Sequence, residues 1–201
     1  AIDPVRYISN HSSGKMGYAL ASAAVAAGAQ VELVSGPVSL SPPAKAILSP
    51  VTSASQMLAA VKESIDSVDI FIGCAAVADY APIAIAEQKI KKNDTEMSLK
   101  LKQNPDILAW VGGLANKPYV VGFAAESESL KANAKSKLEK KCLDMICAND
   151  ISQQGLGFNS DNNQLLLLIK NAEEKQLNIA SKQILAEQII EAIVEQINNK
   201  K

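Results

Sequence analysis

At 201 residues, with 48% hydrophobic and 20% charged side chains, the chain has the size and composition of one soluble α/β domain with a substantial core. Its 20 Lys+Arg against 21 Asp+Glu leave a net charge of -1, and only 4% of residues are aromatic. That balance excludes a broad basic surface for nucleic acid or anionic membrane, and a base-stacking platform as well.

The first element follows RYISNHSSGKMG (6–17), where Arg, Asn, His, Ser and Lys gather ahead of an Ala-rich helical run, 15–27, closed by Gly28. A helix N-terminus presents unpaired N–H groups and positive dipole. The stretch therefore reads either as a phosphate seat or as a Ser/Asn cap with a closely packed glycine behind it. QVELVSGP (30–37) is a strand ended by a Gly-Pro turn, SLSPPA a loop, and AILSPV (46–51) a short strand. Ser53 or Ser55 caps a helix to Ile65, with apolar Met57, Leu58, Val61 and Ile65 on one face. DIFIGC (69–74) is nearly all apolar, as a parallel strand covered on both faces requires.

Further along, EMSLKLKQ (96–103) alternates, predicting a half-exposed strand, and NPDILAWVGGL a helix with Asn104 as cap and Pro105 in its first position. YVVGF (119–123) and LDMICA (143–148) are two more strands, joined by a Lys-rich helix over 128–141. QLLLLI and KQLNIA form a hairpin around Asn171, and residues 181–197 a closing amphipathic helix. The βαβ rhythm predicts one α/β domain, a doubly wound, mostly parallel Rossmann-like sheet with helices on both faces and a C-terminal hairpin extension.

In such sheets the ligand lies beyond the C-terminal ends of the strands. There the sequence places AAVADYAP, AAESE and NDIS, whose small residues predict a crevice. Ala75, Ala76 and Ala78 allow close backbone approach, and Asp79 adds a carboxylate. The first helix carries no dinucleotide or Walker A fingerprint: Ser9 stands where that loop needs Gly, and Met16 follows Lys15. Lys89, Lys91 and Lys92 lie in the loop after the third strand and read either as ordinary solvated surface or as cations beside a bound triphosphate. Lys137 and Lys141 share a helix face, a repulsive spacing that an anion between them would relieve.

Three cysteines without C-x-x-C spacing and one histidine, His11, point away from a disulfide scaffold or a Cys/His zinc site. Cys74 and Cys147 end apolar runs and read as buried thiols. With no apolar stretch of membrane-span length and no secretory signal, a reducing cytoplasm is the expected compartment. The abrupt start, AIDPV, points to a piece of a longer polypeptide.

ISNHSSGKMG, GCAAVADY, KIKK, QNPDIL, VVGFAAE and ICAND followed by GFNSDNN stand in the order found in the bacterial phosphopantothenate–cysteine ligase family. All 201 residues resemble its ligase domain, the C-terminal part of a bifunctional flavoprotein of coenzyme A biosynthesis. The resemblance implies that 4'-phosphopantothenate and L-cysteine are joined with CTP and Mg2+, through an acyl-cytidylate. It gives catalytic roles to Asn10 and Lys89. It places Gly73, Cys74, Ala75, Asp79, Lys89, Pro105, Asp106, Ile107, Leu108, Phe123, Lys137 and Lys141 around CTP, and Arg6, Asn10 and Ala76 around the acyl intermediate. Metal ligands stay open, Asp79 being a candidate beside the triphosphate itself. The family's first strand, rich in Thr, Gly and Pro, has no counterpart here. The resemblance further implies a homodimer, with the 164–180 hairpin as a pairing edge, and a flavin-dependent decarboxylase domain in the full-length chain. No flavin, nucleic acid or membrane partner is expected for this part. A non-catalytic nucleotide-binding module and an NAD(P)-dependent reductase are the competing readings.

Overall fold

Helix α1 (Lys15–Ala26) turns at Gly28, whose φ of 90° suits glycine, into β1 (Val31–Ser35), which pairs in parallel with β2 (Ala46–Pro50). The computed structural model describes residues 1–91, 96–150 and 160–199. Helix α2 (Ala54–Ser64) is capped by Ser53, which accepts from the Gln56 N–H, and a single 3-10 turn leads to β3 (Ile70–Gly73). Next come β4 (Tyr80–Pro82), β5 (Leu101–Gln103), α3 (Ile107–Gly112), β6 (Tyr119–Glu126), α4 (Leu130–Lys140) and β7 (Met145–Asp150). The hairpin β8 (Asn162–Ile169) and β9 (Lys175–Ser181) precedes α5 (Lys182–Asn198).

Five strands form the main sheet in the order β3-β6-β7-β8-β9. The β3, β6 and β7 trio is parallel, and the hairpin extends it antiparallel. Alternation along the strands serves two faces. Val121, Met145, Cys147, Leu165 and Leu167 pack with α1 and α5; Val120, Ile146, Leu166 and Leu168 pack with α2, α3 and α4. Each fully buried Leu or Ile contributes about 1.5–3 kcal/mol. Helices thus cover both faces, as the βαβ rhythm predicts.

Several local expectations change. The cap of α3 is Asp106, accepting from the Ala109 N–H at 2.9 Å, so Pro105 precedes the helix. Asn104 is occupied elsewhere, donating from its amide to the Ala78 carbonyl at 2.8 Å. Of 96–103 only β5 is a strand, and all three of its residues are exposed, because its one partner is β4 in a free-standing two-stranded ribbon. β3 is parallel to β6 and covered on both faces, with Ile70 and Ile72 on one core and Phe71 on the other, but it ends the main sheet instead of lying inside it, so its four residues are half-buried. The segments AAE and ND belong to the ends of β6 and β7: Ala124 is a core residue, Ala125, Glu126, Asn149 and Asp150 are half-buried, and residues 151–152 lie outside the described residues. Cys147 is fully buried, whereas Cys74 is half-buried.

Candidate active site

Beyond the C-terminal end of β3, residues 75–79 meet the segment that leads into α1. The Asn10 amide donates to the Ala76 carbonyl, and Asn10 Oδ1 accepts from the Ser12 N–H at 3.0 Å. This brings together two residues expected beside the same intermediate. Helix α1 then starts at Gly14, with φ 77° and no side-chain cap, so the expected Ser/Asn cap is absent. A Cβ on Gly14 would lie 2.8 Å from Val38 Cγ1, so only glycine fits this approach.

Arg6 is tied inward. Its guanidinium bonds Asp3 Oδ2 at 2.9 and 2.5 Å and the Ile90 carbonyl at 2.9 Å. Asp3 Oδ2 also accepts from the Ile90 N–H at 3.2 Å, while Oδ1 takes the Val5 and Arg6 N–H groups, both at 2.8 Å. Asp3 is buried, and the Arg6 guanidinium holds its carboxyl far below the usual carboxylate range. A depressed folded-state pKa stabilises the fold above the unfolded value of 3.8 and is lost only as pH falls through the folded one, so the clamp is intact at neutral pH. It fixes both backbone groups of Ile90 and with them the neighbouring Lys89, whose side chain is exposed. Asp3 was not singled out in the sequence, although Asp-Pro followed by Arg three residues after the Asp is a turn with a built-in ion pair.

The Pro105–Leu108 turn sits over the glycines of two strands. Gly73 and Gly122 are register partners, and Leu108 occupies the notch they leave: a Cβ on Gly122 would lie 2.8 Å from its Cδ2. The turn is held from the other side by Lys141, 2.7 Å from Asp106 Oδ2. Burial pushes the Asp106 pKa up, but the Lys141 hydrogen bond and the Ala109 N–H outweigh it, and the net shift is down. Lys137 reaches Glu126 Oε1, at the end of β6, at 2.6 Å. Both lysines therefore have internal carboxylate partners, and relief of their repulsion does not require an external anion.

Phe123 lies within β6, next to Gly122, and Cys74 immediately follows the adjacent strand β3. Burial pushes the Cys74 thiol up to about 12, so at neutral pH it is a neutral wall and not a nucleophile or metal ligand. Ala75 and Asp79 are exposed, and the Asp79 carbonyl accepts from the Asn104 N–H at 2.8 Å. Among the described residues no three His, Cys, Asp or Glu side chains converge as a metal cage. Lys92 and residues 157–159 of GFNSDNN lie outside the described residues; Asp161 of that motif pairs with Lys15 at 2.6 Å.

Residues 1–197 match the family model described as the DNA/pantothenate metabolism flavoprotein C-terminal domain. The chain belongs to this family. It is 53% identical over 196 residues to the coenzyme A biosynthesis bifunctional protein CoaBC of Vibrio vulnificus (strain CMCP6), covering 96% of this chain and 49% of that protein. To the CoaBC of Escherichia coli (strain K12) it is 50% identical over 203 residues, covering 99% of this chain and 50% of the relative. The chain thus spans about half the length of these relatives, consistent with a fused second domain. A crystal structure of the C-terminal domain of a CoaBC superposes with a TM-score of 0.84 at 37% identity, covering 98% of this chain and 90% of that one. The Cab2 mutant H337A, in complex with phosphopantothenate-cysteine, shares the fold, with a TM-score of 0.75 at 19% identity over 97% of this chain and 81% of that one. The family and the α/β class read from the motifs are the ones found. No helix among the described residues is long and apolar enough to cross a membrane.

Proposed function

We propose that this domain joins 4'-phosphopantothenate to L-cysteine in coenzyme A biosynthesis, with CTP as the activating nucleotide. The observation that carries the reading is the meeting of three segments at one end of the sheet. Asn10 is bonded to Ala76, and Arg6 and Asp3 hold the lysine loop at Ile90. In the first step a carboxylate oxygen attacks the α-phosphorus of CTP and pyrophosphate leaves. In the second the cysteine amine attacks the acyl carbon, CMP leaves, and the amine gives up a proton.

Lys89 neutralises charge as the carboxylate approaches the triphosphate, and Asn10 orients the activated carbonyl beside Ala76. Arg6, engaged by Asp3, acts by positioning the loop. The Pro105–Leu108 turn, Gly73 and Phe123 form the wall on which the nucleotide rests, with Lys137 and Lys141 at its rim. Mg2+ would be held chiefly by triphosphate oxygens, with exposed Asp79 as a candidate protein carboxylate, and would supply further charge neutralisation.

Incubating the full-length protein with CTP, phosphopantothenate and cysteine while following pyrophosphate and CMP tests the reading. Replacing CTP by ATP should lower the rate at least about a hundredfold, because buried hydrogen bonds to a base edge discriminate strongly. Equal rates with ATP would remove CTP from the proposal.

The domain also works as a homodimer in this reading. Two surfaces offer themselves: β9, which is an edge strand of the main sheet in the 164–180 hairpin, and the β4–β5 ribbon. The ribbon and its flanks expose Tyr80, Ile83, Ile85, Met97 and Leu101, with Ile85 60% and Met97 53% exposed. An apolar ribbon of this kind is an association surface, and a second copy presents the same one. Ile85→Glu with Leu101→Glu should convert a dimer to a monomer in sedimentation. An unchanged mass would place the interface elsewhere.

A further inference from the structure

Helix α4 ends in a closed turn. The Cys142 N–H donates to the Glu139 carbonyl at 3.1 Å and the Leu143 N–H to the Leu138 carbonyl at 2.9 Å. This is a Schellman arrangement in which Cys142, with φ 52°, takes the left-handed position usually given to glycine. The turn is also bolted to the sheet. Leu143 is fully buried, and the Asp144 carboxylate accepts from the Lys117 ammonium and, at 3.0 Å, from the Val120 N–H. The Asp144 N–H donates in return to the Val120 carbonyl at 2.9 Å. Surroundings that over-determine a strained residue in this way make the end of α4 a fixed point.

Helix α3 leans on that point at both of its ends. At its start Asp106 caps the helix with Oδ1 and takes the Lys141 ammonium on Oδ2 at 2.7 Å. At its close Gly112 lies against the Lys141 carbonyl: a Cβ on Gly112 would overlap that oxygen outright and stand 3.1 Å from the carbonyl carbon. Leu108 and Leu143 then share the gap over Gly122, where a Cβ would lie 2.8 Å from a methyl of each. The contact of α3 with α2 is softer, since the exposed Lys62 places its ammonium 5.1 Å from the Trp110 ring centre. A side chain at residue 112 would therefore move α3 and leave the end of α4 in place.

We propose that Gly112 is a positioning residue for the nucleotide. Its missing side chain lets α3 seat on the Lys141 carbonyl, and that seat fixes how closely the Pro105–Leu108 turn stands to Gly73. The role rests on the turn being the nucleotide wall. Gly112 acts through Asp106 and Leu108, at the other end of a six-residue helix.

Steady-state kinetics of the full-length protein test this, with Gly113→Ala as the control. Gly113 is exposed, and a Cβ there meets only ordinary contact, 3.4 Å from the Ala109 carbonyl oxygen. Gly112→Ala should raise the KM for CTP about tenfold or more, with kcat and the KM for cysteine within about twofold of wild type. Gly113→Ala should match wild type in all three. Mere destabilisation would lower the active fraction, and with it kcat, while leaving the KM for CTP alone. If Gly112→Ala does not fold, Asp106→Asn carries the comparison: it keeps the capping oxygen, breaks the tie to Lys141 and should raise the KM for CTP several-fold. A KM for CTP unchanged in Gly112→Ala, or unchanged or lowered in Asp106→Asn, overturns the positioning role while an active wild type keeps the nucleotide reading. A wild type that does not consume CTP overturns both.

Discussion

Lys89→Gln is expected to slow pyrophosphate release by about a hundred- to a thousandfold while leaving the fold intact, the usual range for removing one preorganised electrostatic contact in a reacting site. The substitution removes a charge and keeps the length and polarity of the side chain. Because the residue is exposed, thermal stability should change by less than about 0.5 kcal/mol. The loss should fall on the first half-reaction, where a carboxylate must approach a triphosphate. Supplying preformed acyl-cytidylate should therefore restore amide formation. Lys92→Gln, in the same run of lysines, should behave like the wild type. Normal pyrophosphate release by the Lys89 variant would reduce the loop to ordinary solvated surface.

Asn10→Asp should divide the reaction at the other step. Asn10 has both ends of its amide engaged, donating to the Ala76 carbonyl and accepting from the Ser12 N–H. The second amide hydrogen is the donor available to a carbonyl oxygen that gains charge as cysteine attacks. Aspartate keeps the bond from Ser12 but turns a donor into a carboxylate facing both Ala76 and the developing oxyanion. Pyrophosphate should still be released, acyl-cytidylate should accumulate, and amide formation should fall by about a hundredfold or more. A residue that only shapes the turn would cost about 1 kcal/mol of stability and leave the balance of the two steps unchanged. Mass spectrometry of quenched reactions decides: product at the normal rate with no intermediate makes Asn10 a turn residue.

The elements with strong periodicity were legible from sequence. Ser53 caps α2, Gly28 closes α1, and the β8–β9 hairpin and α5 stand where alternation and 3.6-residue spacing put them. Edge and interior positions were less legible. DIFIGC is apolar enough for an interior strand, and its composition does not report that, among the described residues, β3 is paired on one side only, by β6. The Asn104/Asp106 choice of cap was decided by a contact 26 residues away, the Ala78 carbonyl that takes the Asn104 amide. Lys137 and Lys141 show the same limit: their partners Glu126 and Asp106 come from other elements, so helix spacing alone overstated their repulsion. The meeting of Asn10 with Ala76 had no local signal at all, and only the shared motif order anticipated it.

The Asp3–Arg6 clamp has a consequence for the kinetics of the lysine loop. A lysine on an untethered segment samples a large volume and presents its ammonium at an effective concentration of roughly millimolar. Here the backbone one residue away is held at both its N–H and its carbonyl, so only the side chain of Lys89 is left to search. The entropy of bringing the loop to the sheet is spent when the domain folds, before any nucleotide arrives. In the proposed reaction, a nucleotide meeting Lys89 would then have to order that side chain and not its backbone.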